Sequence, residues 1–254
     1  MSLKFDEAWM LATVLLWVRL GALFFMSPFF SAAKVPATVV VVFTLALSGL
    51  FTMAFQTRAT QPLGDVMQLA LAVAAELITG ALMGFALQCA FAAFAMAGQV
   101  LDVQMGFGMG SIFDPVTRSN TPVLGSVLAL FGVAFFFAVD GHHAFMRGIA
   151  FSVTAVPPGT LGLSLSLADL MRPVGAMFTS AIAVIAPTLF MLLLVELVLM
   201  VTSRVLPQMN IFFVAIPAKI LVGFVALAIT SVFVGPVMAK AYAGIFRFWD
   251  GVLR

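Results

Sequence analysis

Residues 35–55 read VPATVVVVFTLALSGLFTMAF, 21 positions without one ionisable group. Near a bilayer centre each Val, Leu or Phe contributes about −0.3 to −0.6 kcal/mol, so the eleven in this stretch favour insertion by roughly 5 kcal/mol. A helix of this length rises about 30 Å, the thickness of a hydrocarbon core. The stretch is a membrane span, and the composition around it agrees. Of 254 residues, 63% are hydrophobic and 9% charged, where a soluble domain carries about 25% charged residues. No soluble fold of this size hides so much apolar surface from water. That excludes a cytosolic enzyme, a disordered tail and a secreted disulfide scaffold. Twelve basic against ten acidic side chains leave a formal charge of +2, too little for a nucleic-acid footprint. The single cysteine, Cys89, sits inside an apolar run, so one chain holds neither a disulfide framework nor a Cys-based metal site.

On the N-terminal side, the run 8–33 carries Arg19 and Pro28. It is too long for a signal-peptide core, and Asp6 and Glu7 spoil the basic start such a peptide needs, so it reads as a mature segment. On the C-terminal side, a polar connection at 56–65 leads into residues 66–101, a largely apolar run that carries Glu76, Gln88 and Gln99. As one helix these would measure about 54 Å, nearly twice the hydrocarbon core. Such a segment must tilt, break, or leave the bilayer inside an assembly. Then come the linker 102–122, an apolar run 123–139, a mixed stretch 144–170 interrupted by Pro157-Pro158-Gly159, and the long run 173–201 with Pro187 and Glu196. A polar break at 204–210 precedes the last run, 211–239, with Pro217 and Lys219 near its start. About six hydrophobic segments result. All are expected to be helical, because a chain in lipid must satisfy its backbone polar groups internally and no alternating ten-residue segments suggest a barrel. The expected fold is an all-α membrane protein with several overlong, proline-broken segments. With six spans, Lys4, Arg58, Arg147, Arg172, Lys240, Arg247 and Arg254 share one side and Lys34, Arg118 and Arg204 the other, which marks the first side as cytoplasmic.

Four ionisable residues interrupt apolar runs: Arg19, Glu76, Glu196 and Lys219. Each costs about 2.5–3.5 kcal/mol at mid-bilayer, so each is expected to face protein or water. They could form a proton or ion relay; partners across helix contacts are the commoner explanation. Gly80 and Gly84, continued by Gln88 and Ala92, make a stripe of small and polar residues that lets helix backbones approach closely. The stretch Met105-Gly106-Phe107-Gly108-Met109-Gly110-Ser111 lacks both the G-x-G-x-x-G spacing and the lysine of a phosphate loop. Its glycines permit tight folding, while Met105, Phe107, Met109, Ile112 and Phe113 offer soft apolar bulk. Such a segment could close a pore by excluding water, or serve as an interhelical loop buried against its neighbours. Asp114-Pro115 and Thr121-Pro122 each look like an N-cap followed by proline. Asp140, His142 and His143 invite a metal reading. Adjacent histidines on a helix point about 100° apart, however, and zinc motifs use i, i+4 spacing. No G-x-S-x-G occurs to activate a serine. No metal, cofactor or catalytic residue is expected.

The block Gly98-Gln99-Val100-Leu101-Asp102-Val103-Gln104-Met105-Gly106-Phe107, followed by Phe113-Asp114-Pro115, resembles the FliR family of flagellar biosynthetic proteins. So do Gly141-His142-His143 and Ser203-Arg204-Val205-Leu206-Pro207-Gln208-Met209-Asn210-Ile211-Phe212, closing with Pro217 and Lys219. Order and spacing agree from about residue 19 to 239. Two departures show: Asp140 stands where the family usually has Asn, and Ala215 where Gly is common.

The resemblance implies a channel subunit of the flagellar type III export gate in the bacterial inner membrane, at the centre of the basal body. FliR is similar to a fusion of FliP and FliQ, which makes residues 1–172 a FliP-like part and 173–254 a FliQ-like helical hairpin and tail. Helical hairpins would pack with FliP and FliQ, with FlhB and FlhA as neighbours, around a conduit for unfolded flagellar subunits. The segment 104–122 would plug the closed channel through Met105, Gly106, Phe107, Gly108, Met109, Gly110, Ile112 and Phe113. Arg204, Pro207, Gln208, Asn210, Pro217 and Lys219 would serve assembly and the helix break. The related injectisome component shares the architecture, although the Pro-Gln-Met-Asn-Ile-Phe form is nearer the flagellar branch. Two readings of other classes stand beside it. One is a self-contained small-molecule or ion transporter using Glu76, Glu196 and Lys219, with helices broken at Pro187 and Pro217. The other is an intramembrane enzyme at Asp140, His142 and His143.

Overall fold

A computed structural model of the chain describes residues 7–32, 35–57, 66–107, 122–160, 166–208 and 211–253. Among these the secondary structure is helical, without strands. In chain order the helices are α1 (Glu7–Phe25), α2 (Pro28–Ala32), α3 (Ala37–Phe55), α4 (Val66–Met105), α5 (Val123–Ala138), α6 (Gly141–Ala155), α7 (Leu167–Val205), α8 (Ile211–Phe233) and α9 (Gly235–Val252). Five of them, α1, α3, α4, α7 and α8, are long and apolar enough to cross a membrane, and α5 with α6 makes a sixth if the pair, bent by 75°, counts as one span. The protein is an all-α membrane protein, as its composition requires.

The two overlong segments are single helices. α4 runs 40 residues and α7 39, each about 60 Å long. The prolines expected to break helices do not end them. α7 continues through Pro173 and Pro187, and α8 through Pro217. A proline removes one backbone hydrogen bond, a loss that membrane helices absorb through local adjustment and neighbouring groups. The sharp bend falls instead at Asp140, whose φ of 56° is left-handed. That conformation stops α5 and starts α6, and among residues with a Cβ, Asn and Asp tolerate it best.

The chain divides into two compact units. The first comprises residues 1–89, 136–174 and 242–254, the second 90–135 and 175–241. In the first unit, α1 buries Ala12, Leu15, Leu16, Arg19, Leu20, Leu23 and Phe24 along one face. α4 crosses it where Gly80 and Gly84 leave no room for a side chain. A Cβ at Gly80 would fall on the Arg19 carbonyl, and one at Gly84 would sit 2.8 Å from the Met26 Cβ. α3 packs beside α1 with its polarity inverted relative to a soluble helix. Its buried residues are Thr44, Ser48 and Thr52, while Val39, Val42, Leu45 and Leu50 face outward. Each inward hydroxyl bonds a carbonyl three or four residues back, so a polar face is satisfied inside and an apolar one is left for lipid or protein. The end of α9 closes this unit. Trp249 lies over Gly148 and donates its indole N–H to the Met83 carbonyl at 3.1 Å. Burial holds the nearby Tyr242 phenol well above its ordinary pKa.

In the second unit, Gly98 of α4 meets the backbone of Leu124 and Gly125 at the start of α5, and Gly132 of α5 lies against the Phe94 ring. α7 and α8 are joined by a hydroxyl pair, Thr188 with Thr230 at 3.0 Å. Much of their remaining surface is apolar and exposed, Phe190, Val198, Leu221 and Val225 among it.

Candidate functional site

The four ionisable residues of the apolar runs resolve into two pairs. Arg19 and Glu76, both fully buried in the first unit, meet side by side: Nε donates to Oε2 at 2.6 Å and Nη2 to Oε1 at 3.1 Å. Arg19 also donates to two carbonyls at the C-terminal end of α6, that of Ser152 at 2.8 Å, which accepts the Val156 N–H as well, and that of Val156 at 2.9 Å. Glu76 in turn accepts the Gly159 N–H at 2.7 Å. The cation thus sits at the negative end of the α6 dipole while the carboxylate takes a backbone donor just beyond it. α1, α4 and the end of α6 are held at one point. In the second unit, Lys219 of α8 donates to Glu196 of α7, and both are partly exposed. These are the contacts across helices that the cost of burying lone charges demands.

The sequence-predicted plug begins at a well-defined root. α4 ends at Met105, and Gly106 with φ of 85° turns the chain out of the helix, a left-handed C-terminal conformation that favours glycine. Met105 is fully buried, its thioether filling the space that Gly223 of α8 leaves open. Phe107 meets the Phe224 ring edge-on at 5.9 Å. Gly108, Met109, Gly110, Ile112 and Phe113 lie outside the described residues, as do the caps expected at Asp114 and Thr121.

On the return side, the first described residue is Pro122, whose carbonyl accepts the Ser126 N–H. Two amides of the first turn of α5 are capped by α4: the buried Asp102 carboxylate accepts from Leu124 N–H at 3.1 Å and from Gly125 N–H at 3.0 Å. A carboxylate at a helix N-terminus satisfies orphan donors and complements the positive end of the dipole. Both ends of the segment are therefore tied at its base within the second unit, by Asp102 to α5 and by Met105 to α8. The role of Asp102 was not legible from the usual capping signals, which look only a few residues along the chain. The signal that could have found it is Gly98 four residues before Asp102: a small residue for close approach, then an acid on the same face.

The residues expected to serve assembly spread over the end of α7 and the start of α8. Arg204 is exposed in the last turn of α7, favourably placed at the negative end of the dipole, and Pro207 and Gln208 are exposed after the helix stops. Asn210 lies outside the described residues. Pro217 is inside α8, and Lys219 is paired as above. Asp140, His142 and His143 do come together, with their candidate ligand atoms within 4.8 Å of one another. The two imidazole centroids lie 4.1 Å apart with their planes tilted by 36°, and His143 Nδ1 turns to Asp140 Oδ1 at 3.5 Å.

Comparison with known proteins places the chain. The family described as bacterial export proteins, family 1, matches residues 10–245. The chain belongs to that family. Among its relatives, the chain is 29% identical to the flagellar biosynthetic protein FliR of Bacillus subtilis over 223 residues, covering 86% of this chain and 85% of the relative. It is 27% identical to FliR of Escherichia coli over 242 residues, covering 93% and 90%. It is 28% identical to the surface presentation of antigens protein SpaR of Shigella flexneri over 214 residues, covering 84% and 82%. The export-family assignment agrees with the resemblance seen in the sequence blocks around Asp102, Gly141 and Arg204.

Proposed function

We propose that this protein is a subunit of a type III export apparatus, and within it a non-enzymatic channel component of the flagellar export gate in the bacterial inner membrane. The observation that carries the reading is near-full-length similarity to FliR relatives, combined with long helices whose outward faces are apolar beyond what one 30 Å bilayer can cover. In this reading the surplus surface packs on FliP and FliQ, and FlhB and FlhA lie nearby. Residues 1–172 act as the FliP-like part and 173–254 as the FliQ-like part. The segment 104–122 plugs the closed channel and withdraws when an unfolded flagellar subunit enters. A base tied by Asp102 and Met105 supports that role, since it lets the segment between move without unpacking α4 or α5. The similarity to SpaR favours one second reading, an injectisome component.

Purification of the tagged chain from its native membrane tests the assignment. FliP and FliQ are expected to come with it, and recovery of an active lone chain would overturn the proposal. Introducing the gene into cells lacking their own FliR distinguishes the two branches: restored motility supports the flagellar one. Deleting residues 106–112 is expected to make the assembled gate leak ions. Unchanged conductance in an intact assembly would refute the plug.

A further inference from the structure

A cluster of metal-binding side chains at the bend between α5 and α6, within the first unit, has no part in the export reading. Asp140, His142 and His143 each offer a donor atom, and the three atoms lie within 4.8 Å of one another. Adjacent residues on a helix leave its axis about 100° apart, so the two histidines are expected to diverge. In the structure they do not, for their ring centroids are 4.1 Å apart. The divergence belongs to the Cα–Cβ bonds, whereas a ring is placed by its χ angles as well. His142 is half-buried beside the Phe137 ring, with centroids 5.6 Å apart, while His143 and Asp140 are exposed.

The backbone beneath the cluster is fixed. A Cβ on Gly141 would strike the Phe136 ring at 2.5 Å, and Phe145 and Ile149 are buried in the turns that follow. Asp140 stands at the N-cap of α6, but its carboxylate makes no capping bond and turns to His143 Nδ1 at 3.5 Å. Zinc takes nitrogen and carboxylate oxygen at about 2.0–2.2 Å, which sets the ligand atoms of a tetrahedral site about 3.4 Å apart. The Asp140–His143 pair is already at that separation, and closing the widest gap needs a shift of about 1.4 Å, a small side-chain rotation at an exposed bend. His142 Nδ1 is enclosed by protein, so Nε2 is the nitrogen this ring can offer. Two imidazoles with one carboxylate suit borderline ions such as zinc, whereas magnesium and calcium take oxygen ligands. The C-terminal end of α5 meets the N-terminal end of α6 here, so their opposite dipole charges offset one another and do not repel a cation.

We propose that Asp140, His142 and His143 form a binding site for a zinc-class divalent ion, its coordination completed by water on the open side. The test titrates zinc into the full chain in lipid nanodiscs by calorimetry, with excess magnesium present and an affinity tag free of histidine. Wild-type protein is expected to bind one zinc per chain with a Kd below roughly 10 μM. Asp140→Asn keeps a residue that tolerates the left-handed backbone and removes only the anionic ligand. Asp140→Asn and the exposed His143→Ala should each weaken zinc at least tenfold, since even the groups that merely orient metal ligands are worth about ten- to hundredfold. X-ray absorption at the zinc edge should show two imidazoles in the wild type. Absence of saturable zinc binding, competition by magnesium, or unchanged affinity in either variant (an adventitious ion only) would each overturn the proposal.

Discussion

Replacing Glu76 by Leu should be among the most damaging single changes in the molecule, and adding Arg19→Met should repair much of the damage. Glu76→Leu leaves the Arg19 guanidinium fully buried with two backbone carbonyls and no counter-charge. Removing one partner of a buried pair costs about 3–5 kcal/mol. The Gly159 N–H loses its acceptor in the same step. In the double variant the buried charge is gone, and exchanging a whole buried pair for apolar residues is itself near neutral or stabilising. What remains is the loss at the α6 terminus. Ser152 O keeps the Val156 N–H as a donor, so the Arg19 bond to the Val156 carbonyl is the main acceptor loss there. An unsatisfied acceptor costs about 1–3 kcal/mol. The double variant is thus expected to be roughly 2 kcal/mol more stable than Glu76→Leu alone, a coupling typical of residues in one network. Reversible unfolding in mixed micelles, followed by Trp fluorescence, reads the difference. A double variant as unstable as the sum of its single changes would refute the idea that the pair, rather than each residue's separate contacts, holds α1, α4 and α6 together.

Three further outcomes are expected. Gly80→Ala should destabilise by about 1–3 kcal/mol because its Cβ lands on the Arg19 backbone, whereas Gly49→Ala, with nothing within 4 Å, should gain up to about 1 kcal/mol in the same micelle assay. Asp102→Ala removes the acceptor for two amides and should cost about 1.5–3 kcal/mol; Asp102→Asn, which keeps one acceptor oxygen, should recover part of it. Hydrogen exchange at Leu124 and Gly125 should accelerate in both variants, and unchanged protection would sink the trans-cap. Asp140→Asn should change stability by less than about 0.5 kcal/mol, while Asp140→Val, which resists a left-handed backbone, should cost about 1–2 kcal/mol in thermal unfolding.

How much could be read in advance differs from feature to feature. Residues 35–55 declared themselves a span because their insertion energy is a sum over composition, indifferent to which neighbours surround them. The overlong runs were equally visible, and so was the closeness permitted by Gly80 and Gly84. Proline misled at 187 and 217, where the usual cost was tolerated within α7 and α8, and the bend moved to Asp140.

Apolar content along the chain determined by itself that this protein belongs in a membrane, that its segments are helices, and that Arg19, Glu76, Glu196 and Lys219 would need partners. Those partners were decided only in three dimensions. Arg19 finds Glu76 57 residues away, and Asp102 caps the start of a helix at Leu124, 22 residues further on. The reason is that these helices are apolar on nearly every side, so hydropathy carries no record of which face turns inward. The inward face is chosen where buried polar atoms can meet one another and where missing side chains let backbones touch.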